Sequence, residues 1–432
     1  MTPTIMAIIM LAIVIAFVFY KKVPIQFVLA VVPIICALIM GIKLNDLNGF
    51  IVDSINNTMR SVGYMLLFGF MYFTLLGETG MFDIAVNGFM KMTKGKVNIY
   101  VVMIMTTLIA AIGALTASVV SAYLIVFPVM LVLYNKLNFD KKAAMIIAQT
   151  SISAMGFVPW GIGLATSAVF ANVDPMILSQ QVIWVSICFI PVIILQWIYF
   201  GFRHKKTVGS IGIVNHDEEG EEKAVNKNAR PQFFWINFII FICALVALAY
   251  FKIPPYMVFI FATLLTTLIN YPNPKDYRPI WTKAGESFFN TLIMIVTISV
   301  FVGVFNGTGM MAGLSQLLVS IFPSQLSRYM HIILLAICVV VIRFVPYQLY
   351  NSLYPLLISV GASFGLSGFV IIAPFVTNIG LATGSSPMTP TTHVGTGLLK
   401  IDTEEYCKMA VPIQSLTNIA VIVIGILTGI IK

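Results

Sequence analysis

Four short stretches of this chain gather hydroxyl and amide side chains inside sequence that is otherwise apolar. Thr116, Ser118 and Ser121 follow Gly113-Ala-Leu, and Thr150, Ser151 and Ser153 precede Gly156, Pro159, Gly161 and Gly163. Asn351 and Ser352 close the stretch that begins at Arg343, while Thr377, Asn378, Ser385, Ser386, Thr389, Thr391 and Thr392 surround Gly384, Pro387 and Pro390. Glycine and proline keep a helix from running through these points, which frees backbone N–H and C=O groups beside the hydroxyls. Such neutral, dipolar groups suit the binding of an ion or a small anion more than proton transfer or nucleophilic attack. The plainer reading, that these residues only kink helices or let them pack closely, accounts for one cluster better than for four.

Arg343 is the sharpest single residue, because it follows the apolar run Ile333–Ile342. A guanidinium held in hydrocarbon costs several kcal/mol, and its fork geometry matches a carboxylate. No acidic residue lies in any of the four stretches, so the countercharge is expected from an anionic ligand. His393, at the end of the fourth cluster, is a candidate ligand donor or proton carrier. Glu78 is the one carboxylate near a span interior and a candidate proton relay; His331, at a span start, reads as interfacial. Four of five cysteines lie in apolar runs, Cys407 stands alone in a polar loop, and no Cys/His cluster exists. Disulfides and structural zinc are therefore not expected.

The elements that carry these residues follow from composition. Of 432 residues, 59% are hydrophobic and only 9% are Asp, Glu, Lys or Arg; a soluble domain is nearer a quarter charged. A soluble enzyme is excluded, and an all-α polytopic membrane protein is expected. The net charge of +9 comes from basic residues scattered between apolar runs, the pattern of a positive-inside bias rather than of a nucleic-acid partner. Lys21-Lys22 follow the first apolar run instead of preceding it, the reverse of a cleavable signal peptide. Spans are expected at 4–20, 24–42, 61–82, 142–172, 181–202, 233–251, 254–271, 288–312, 368–395 and 410–431. Regions 97–134 and 329–362 are too long for one span and break near the middle. Read as re-entrant hairpins, with the N-terminus outside, they leave 19 of the 25 Lys and Arg on inner loops and five outside, with Arg343 in the membrane.

The polar stretch 203–232, with His216-Asp-Glu-Glu-Gly-Glu-Glu222, divides the chain nearly in half. Gly77-Glu-Thr-Gly-Met81 returns as Asn306-Gly-Thr-Gly-Met310, at an offset of 229. Phe127-Pro128 returns as Tyr354-Pro355, and Pro387-Met-Thr389 takes the place of Pro159-Trp-Gly161, at offsets of 227 and 228. Residues 1–202 and 233–432 thus read as two repeats flanking a cytoplasmic linker. Each holds five spans, one hairpin (97–134 or 329–362) and one broken helix (142–172 or 368–395). An odd number of crossings makes the repeats inverted, an architecture in which secondary transporters bind substrate at midplane breaks.

On these motifs the chain resembles the citrate–metal symporter family, CitMHS, and more broadly the ion transporter superfamily. Gly77-Glu-Thr-Gly-Met-Phe-Asp83 is similar to its Gly-x-x-Gly-Leu-Phe-Asp stretch, Pro159-Trp-Gly161 to Leu-Pro-Trp-Gly-Gly, and Ser386-Pro-Met-Thr-Pro-Thr-Thr392 to Ser-Pro-x-x-Pro-x-Thr. The resemblance implies a multi-pass protein of the bacterial inner membrane, working as a homodimer and taking up a carboxylate with protons or sodium by elevator-type movement. In one respect the chain departs from the family: its first hairpin tip carries no acidic residue. A hard cation prefers carboxylate oxygens, so a free mono- or dicarboxylate is expected over metal-bound citrate, with Mg²⁺ at most a companion of the substrate.

The expected substrate ligands are Thr116, Ser118, Ser153, Arg343, Asn351, Ser352, Ser385, Ser386, Thr389, Thr392 and His393. Thr150, Ser151, Thr377 and Asn378 are expected to hold the coupling cation, with no resident metal or cofactor. Three rivals are weaker. An intramembrane hydrolase would use Ser367 of Gly365-Leu-Ser-Gly368, which reads better as a helix cap. A cation/proton antiporter would need buried aspartates, and a metalloid oxyanion exporter would differ in direction of transport.

Overall fold

Backbone polar groups in hydrocarbon must be paired within their own segment, so the long apolar runs of this chain fold as helices, two of which are interrupted where glycine and proline cluster. The computed structural model describes residues 2–20, 23–82, 84, 96–208, 214–215, 228–251, 253–321, 327–344, 347–387 and 389–432. Lys21-Lys22, Asp83, Lys91, Lys94, Lys252, Met388, the Val345-Pro346 pair and the acidic His216–Glu222 stretch lie outside the described residues.

In the first half, α1 (Pro3–Tyr20), α2 (Ile25–Ile39), α3 (Leu44–Thr58) and α4 (Tyr64–Glu78) come first. They precede a helical hairpin of α5 (Ile99–Ala114) and α6 (Val119–Lys136). Helices α7 (Lys141–Ala154) and α8 (Ile162–Ala171) flank a break bent by 50°. Helices α9 (Pro175–Ile187) and α10 (Phe189–Val208) end this half. The second half opens with α11 (Phe234–Ala249), α12 (Pro255–Asn270), α13 (Pro274–Gly307) and α14 (Met310–Ile321). Its hairpin consists of α15 (Met330–Ile342), the short α16 (Tyr347–Asn351) and α17 (Tyr354–Ala362). Helices α18 (Gly368–Thr383) and α19 (Pro390–Leu399) flank the second break, and α20 (Thr403–Leu427) closes the chain. A two-residue antiparallel bridge, Lys96–Val97 with Val214–Asn215, ties linker residues to the start of the first hairpin.

The recurrent motifs turn out to be helix-ending turns. Gly80 (φ 77°) ends α4, and Gly309 (φ 76°) ends α13. Thr79 and Thr308 each turn a hydroxyl back onto the helix, to Leu76 O at 2.6 Å and Val304 O at 2.8 Å. Only glycine adopts that left-handed turn without strain. Both half-helices after the breaks stop in the left-handed conformation too, at Asn172 (φ 51°) and Lys400 (φ 54°). Asp174 and Asp402 then cap the next helices, α9 and α20.

Several span boundaries differ from expectation. Four helical stretches among the described residues are long and apolar enough to cross a bilayer, and the bent pair α7–α8 makes a fifth; the other helices offer apolar stretches of 10–17 residues. The span expected at 288–312 is a 34-residue helix that begins at Pro274 and stops at the Gly309 turn. Leu44–Thr58, which hydropathy left as an outer loop, is a helix carrying Asp46 and Asp53, because amphipathic sequence folds as readily as apolar sequence once one face is packed. Ser367 is a helix cap as expected, its Oγ accepting from Val370 N.

Candidate functional site

The two broken helices cross where their chains are thinnest. A Cβ added at Gly156 would meet Thr377 Cγ2 at 3.2 Å; one at Gly380 would meet Ser153 Oγ at 2.6 Å, and one at Gly384 would meet Gln149 Cδ at 2.1 Å. Glycine in each break thus lets the opposing helix approach its backbone. Gln149 joins the two: its Nε2 donates to Gly380 O (2.7 Å), and its Oε1 accepts from the buried Tyr123 hydroxyl of α6. Tyr406 of α20 adds a bond to Gly384 O at 2.8 Å.

Around this crossing lies a cavity of about 340 Å³, bordered by the tips of both hairpins and both breaks. Its size is that of a small-ligand pocket. The first tip is a tight turn with Ala117 at φ 68°, after which Ser118 caps α6 by accepting from Ser121 N. Three helix N-termini border the space: Ser118–Val120 of α6, Gly161–Leu164 of α8, and Thr389 with Thr391 of α19. Such ends carry partial positive charge and unpaired N–H groups, which favour an anion. None of the described residues that line it is charged.

Among the expected substrate ligands, Ser118, Ser153, Asn351 and Thr389 line the cavity. Asn351 is 2% exposed and its Oδ1 has no hydrogen-bond partner. The others do not line it. Thr116 donates to Gly113 O within its own turn, Ser385 to Leu381 O, Ser386 to Ile342 O and Thr392 to Thr383 O. Ser352 is buried away from the lining, and the exposed His393 bonds the Pro387 carbonyl. Successive residues on a helix point about 100° apart, so neighbours in one cluster face different surroundings.

Arg343 requires the clearest correction. It lies off the cavity and pairs with Glu404 of α20, Nη2 to Oε1 at 2.5 Å, so the protein itself supplies the countercharge expected from a ligand. Glu78 is corrected as well: it pairs with Lys283 at 2.6 Å and accepts from Asn228 at 2.9 Å, fastening the end of α4 to α13 and to the linker's end.

The residues expected to hold a coupling cation are interhelical ties. Thr150 is bonded by Gln196 (3.1 Å) and Gln414 (3.0 Å), and Gln196 also reaches Thr417. Ser151 donates to Thr107 O. Thr377 donates to Asn378, which donates to Asn418, whose amide bonds Leu335 O and Ala336 O. All four are buried away from the cavity. Hydrogen bonds of this kind hold helices together where water is excluded.

Sequence reasoning missed Gln149, Thr166, Ser167 and Thr383, which line the cavity. Gln149 stands four residues before Ser153 and so shares its helix face, a spacing that pointed to it. Thr166 and Ser167 lie in the half-helix beyond the break, past the point where the cluster seemed to end.

A predominantly helical, apolar chain with a largely apolar cavity, dotted with hydroxyl and amide groups, at interrupted helices fits a polytopic membrane carrier. Comparison with known proteins agrees. Residues 1–394 match CitMHS, described as "Citrate transporter". The chain is 24% identical over 421 residues to the Bacillus subtilis (strain 168) "Citrate transporter", covering 94% of this chain and 93% of that protein. It is 24% identical over 429 residues to the "Mg(2+)/citrate complex secondary transporter" of the same organism, covering 98% of each. In fold it is similar to the Alcanivorax borkumensis YdaH transporter, with a TM-score of 0.65 at 12% identity over 99% of this chain and 98% of that one. It is also similar to Neisseria gonorrhoeae MtrF, with a TM-score of 0.57 at 13% identity over 98% and 94%. The chain belongs to the CitMHS citrate transporter family.

Proposed function

We propose that this protein is a secondary active carrier that takes up citrate, or a closely related di- or tricarboxylate, across the bacterial plasma membrane with H⁺ or Na⁺. The observation that carries this reading is the uncharged cavity where two hairpin tips and two helix breaks meet. Its helix N-termini and hydroxyls solvate carboxylates without a fixed cation. A trianion entering such a space unaccompanied bears a large desolvation cost, so the cargo travels with its charge compensated. A divalent cation held by the substrate's own carboxylates does this, as do coupling cations bound beside it. The lack of protein carboxylates in the first tip is therefore compatible with a metal-complexed cargo, in which Mg²⁺ keeps water and substrate ligands. The unpartnered Asn351 Oδ1 is an acceptor suited to a cation or to its bound water.

In this reading the two halves are inverted repeats, supported by the matched glycine turns and aspartate caps, and the hairpins are re-entrant. The body bearing hairpins and breaks moves against α1–α4 and α11–α14 in an elevator-type cycle, within a homodimer. The central linker is cytoplasmic and the N-terminus outside. Coupling is best tested by labelled citrate uptake into proteoliposomes under separate Na⁺ and H⁺ gradients, each with and without Mg²⁺. Uptake that requires Mg²⁺ supports the metal-complexed cargo, and Mg²⁺-independent uptake supports cation compensation by the coupling ion. Absence of citrate uptake under every gradient refutes the substrate.

A further inference from the structure

We infer that Trp160 is a positioning residue of the carrier: its indole N–H holds the first hairpin tip in the shape the cavity uses, and its ring fastens that tip to α4 and α12. This rests on the cavity being the substrate site. Trp160 lies in the first break, 4% exposed, and is absent from the cavity lining. Its polar edge and its faces do different things.

The polar edge closes the carbonyl end of α5. Trp160 Nε1 donates to Leu115 O at 3.0 Å, and Ile162 N approaches Ala117 O at 3.4 Å. The last carbonyls of a helix have no partner in the helix and carry partial negative charge. With those oxygens engaged by the break, the tip presents to the cavity the N-terminal turn of α6, headed by Ser118. Released carbonyls would instead oppose an anion beside that turn.

The ring sits in an aromatic nest contributed by other helices. It stacks on Phe73 of α4 (centroids 4.9 Å apart, planes 14°) and meets Phe259 of α12 edge-on at 5.5 Å. Phe73 is itself edge-on to Phe259 at 5.6 Å and to Phe241 of α11 at 6.4 Å. Aromatic pairs of this geometry stabilise beyond the area they bury. One side chain thus bonds the substrate-facing tip and is packed among the helices against which that tip would move.

The two roles separate by substitution. Trp160→Phe keeps most of the stacking and removes the N–H; Phe73→Leu keeps the N–H and loosens the nest. In citrate uptake by proteoliposomes, Trp160→Phe is expected to raise KM about fivefold, the worth of one neutral hydrogen bond, with Vmax within about twofold. Phe73→Leu is expected to alter Vmax and leave KM unchanged. Wild-type KM in Trp160→Phe overturns the inference. A second readout needs no substrate: Thr116→Cys, in a Cys243→Ser background that removes the exposed native thiol, is labelled with a maleimide. Trp160→Phe is expected to raise that labelling rate severalfold, and an unchanged rate overturns the inference. If the wild type takes up no citrate, the substrate assignment alone falls, and labelling decides the role of Trp160.

Discussion

The two hairpins occupy corresponding places in the chain, yet they are anchored by different physics. The first turns in four residues through Ala117 (φ 68°) and is held from outside by neutral contacts, the Trp160 N–H above all. The second holds the short helix α16 in its tip and is tied to α20 by the Arg343–Glu404 ion pair. One tip brings a helix N-terminus to the cavity, the other the side chains of Tyr347 and Asn351. The lesson is that a common architecture need not carry common chemistry. One hairpin turns a helix N-terminus toward the cavity, while the other brings an amide to it and pairs its charge with Glu404.

Changes at the crossing between the halves should have the largest effect. Gly384→Val drives a side chain into Gln149, which three hydrogen bonds hold in place. It is expected to cost about 3 kcal/mol and to abolish uptake. Gly156→Ala, at a looser contact with Thr377, should cost about 1 kcal/mol. Thermal unfolding in detergent compares them, and equal losses would mean that the two breaks do not differ in closeness.

Next come the tips themselves. Asn351→Leu is expected to raise the KM for citrate about tenfold, as a buried polar group toward the cargo is lost. Ser118→Ala, which removes a helix cap, should cost about 1 kcal/mol of stability and raise KM less. The reverse order in uptake kinetics would make the first tip the dominant contact.

The ion pair offers a finer test. Arg343→Gln and Glu404→Gln are each expected to lower stability by about 1 kcal/mol, given the half-exposed glutamate. The double variant should cost no more than either single one, and all three should keep the wild-type KM. Loss of substrate binding in Arg343→Gln but not in Glu404→Gln would return Arg343 to the site. The smallest effect is expected at Glu78→Gln, whose partner Lys283 is 66% exposed. A stability change under about 0.5 kcal/mol with proton-driven uptake intact would confirm a fastening role, and selective loss of proton coupling would restore the relay.

Local properties of the chain were enough to read its apolar, helical character, the places where helices are interrupted, and the cap at Ser367. Hydropathy, proline, glycine and capping residues act on the backbone within a few positions of themselves, so their consequences can be read along the chain. That Ser118 rather than Thr116, and Gln149 and Ser153 rather than Thr150 and Ser151, line the cavity depends on tertiary structure. Each residue along a helix turns about 100°, and which direction faces a cavity depends on helices hundreds of positions away. Arg343 illustrates the same limit: its partner is 61 residues distant, and no local pattern pairs a charge at a hairpin tip with the first turn of the last helix.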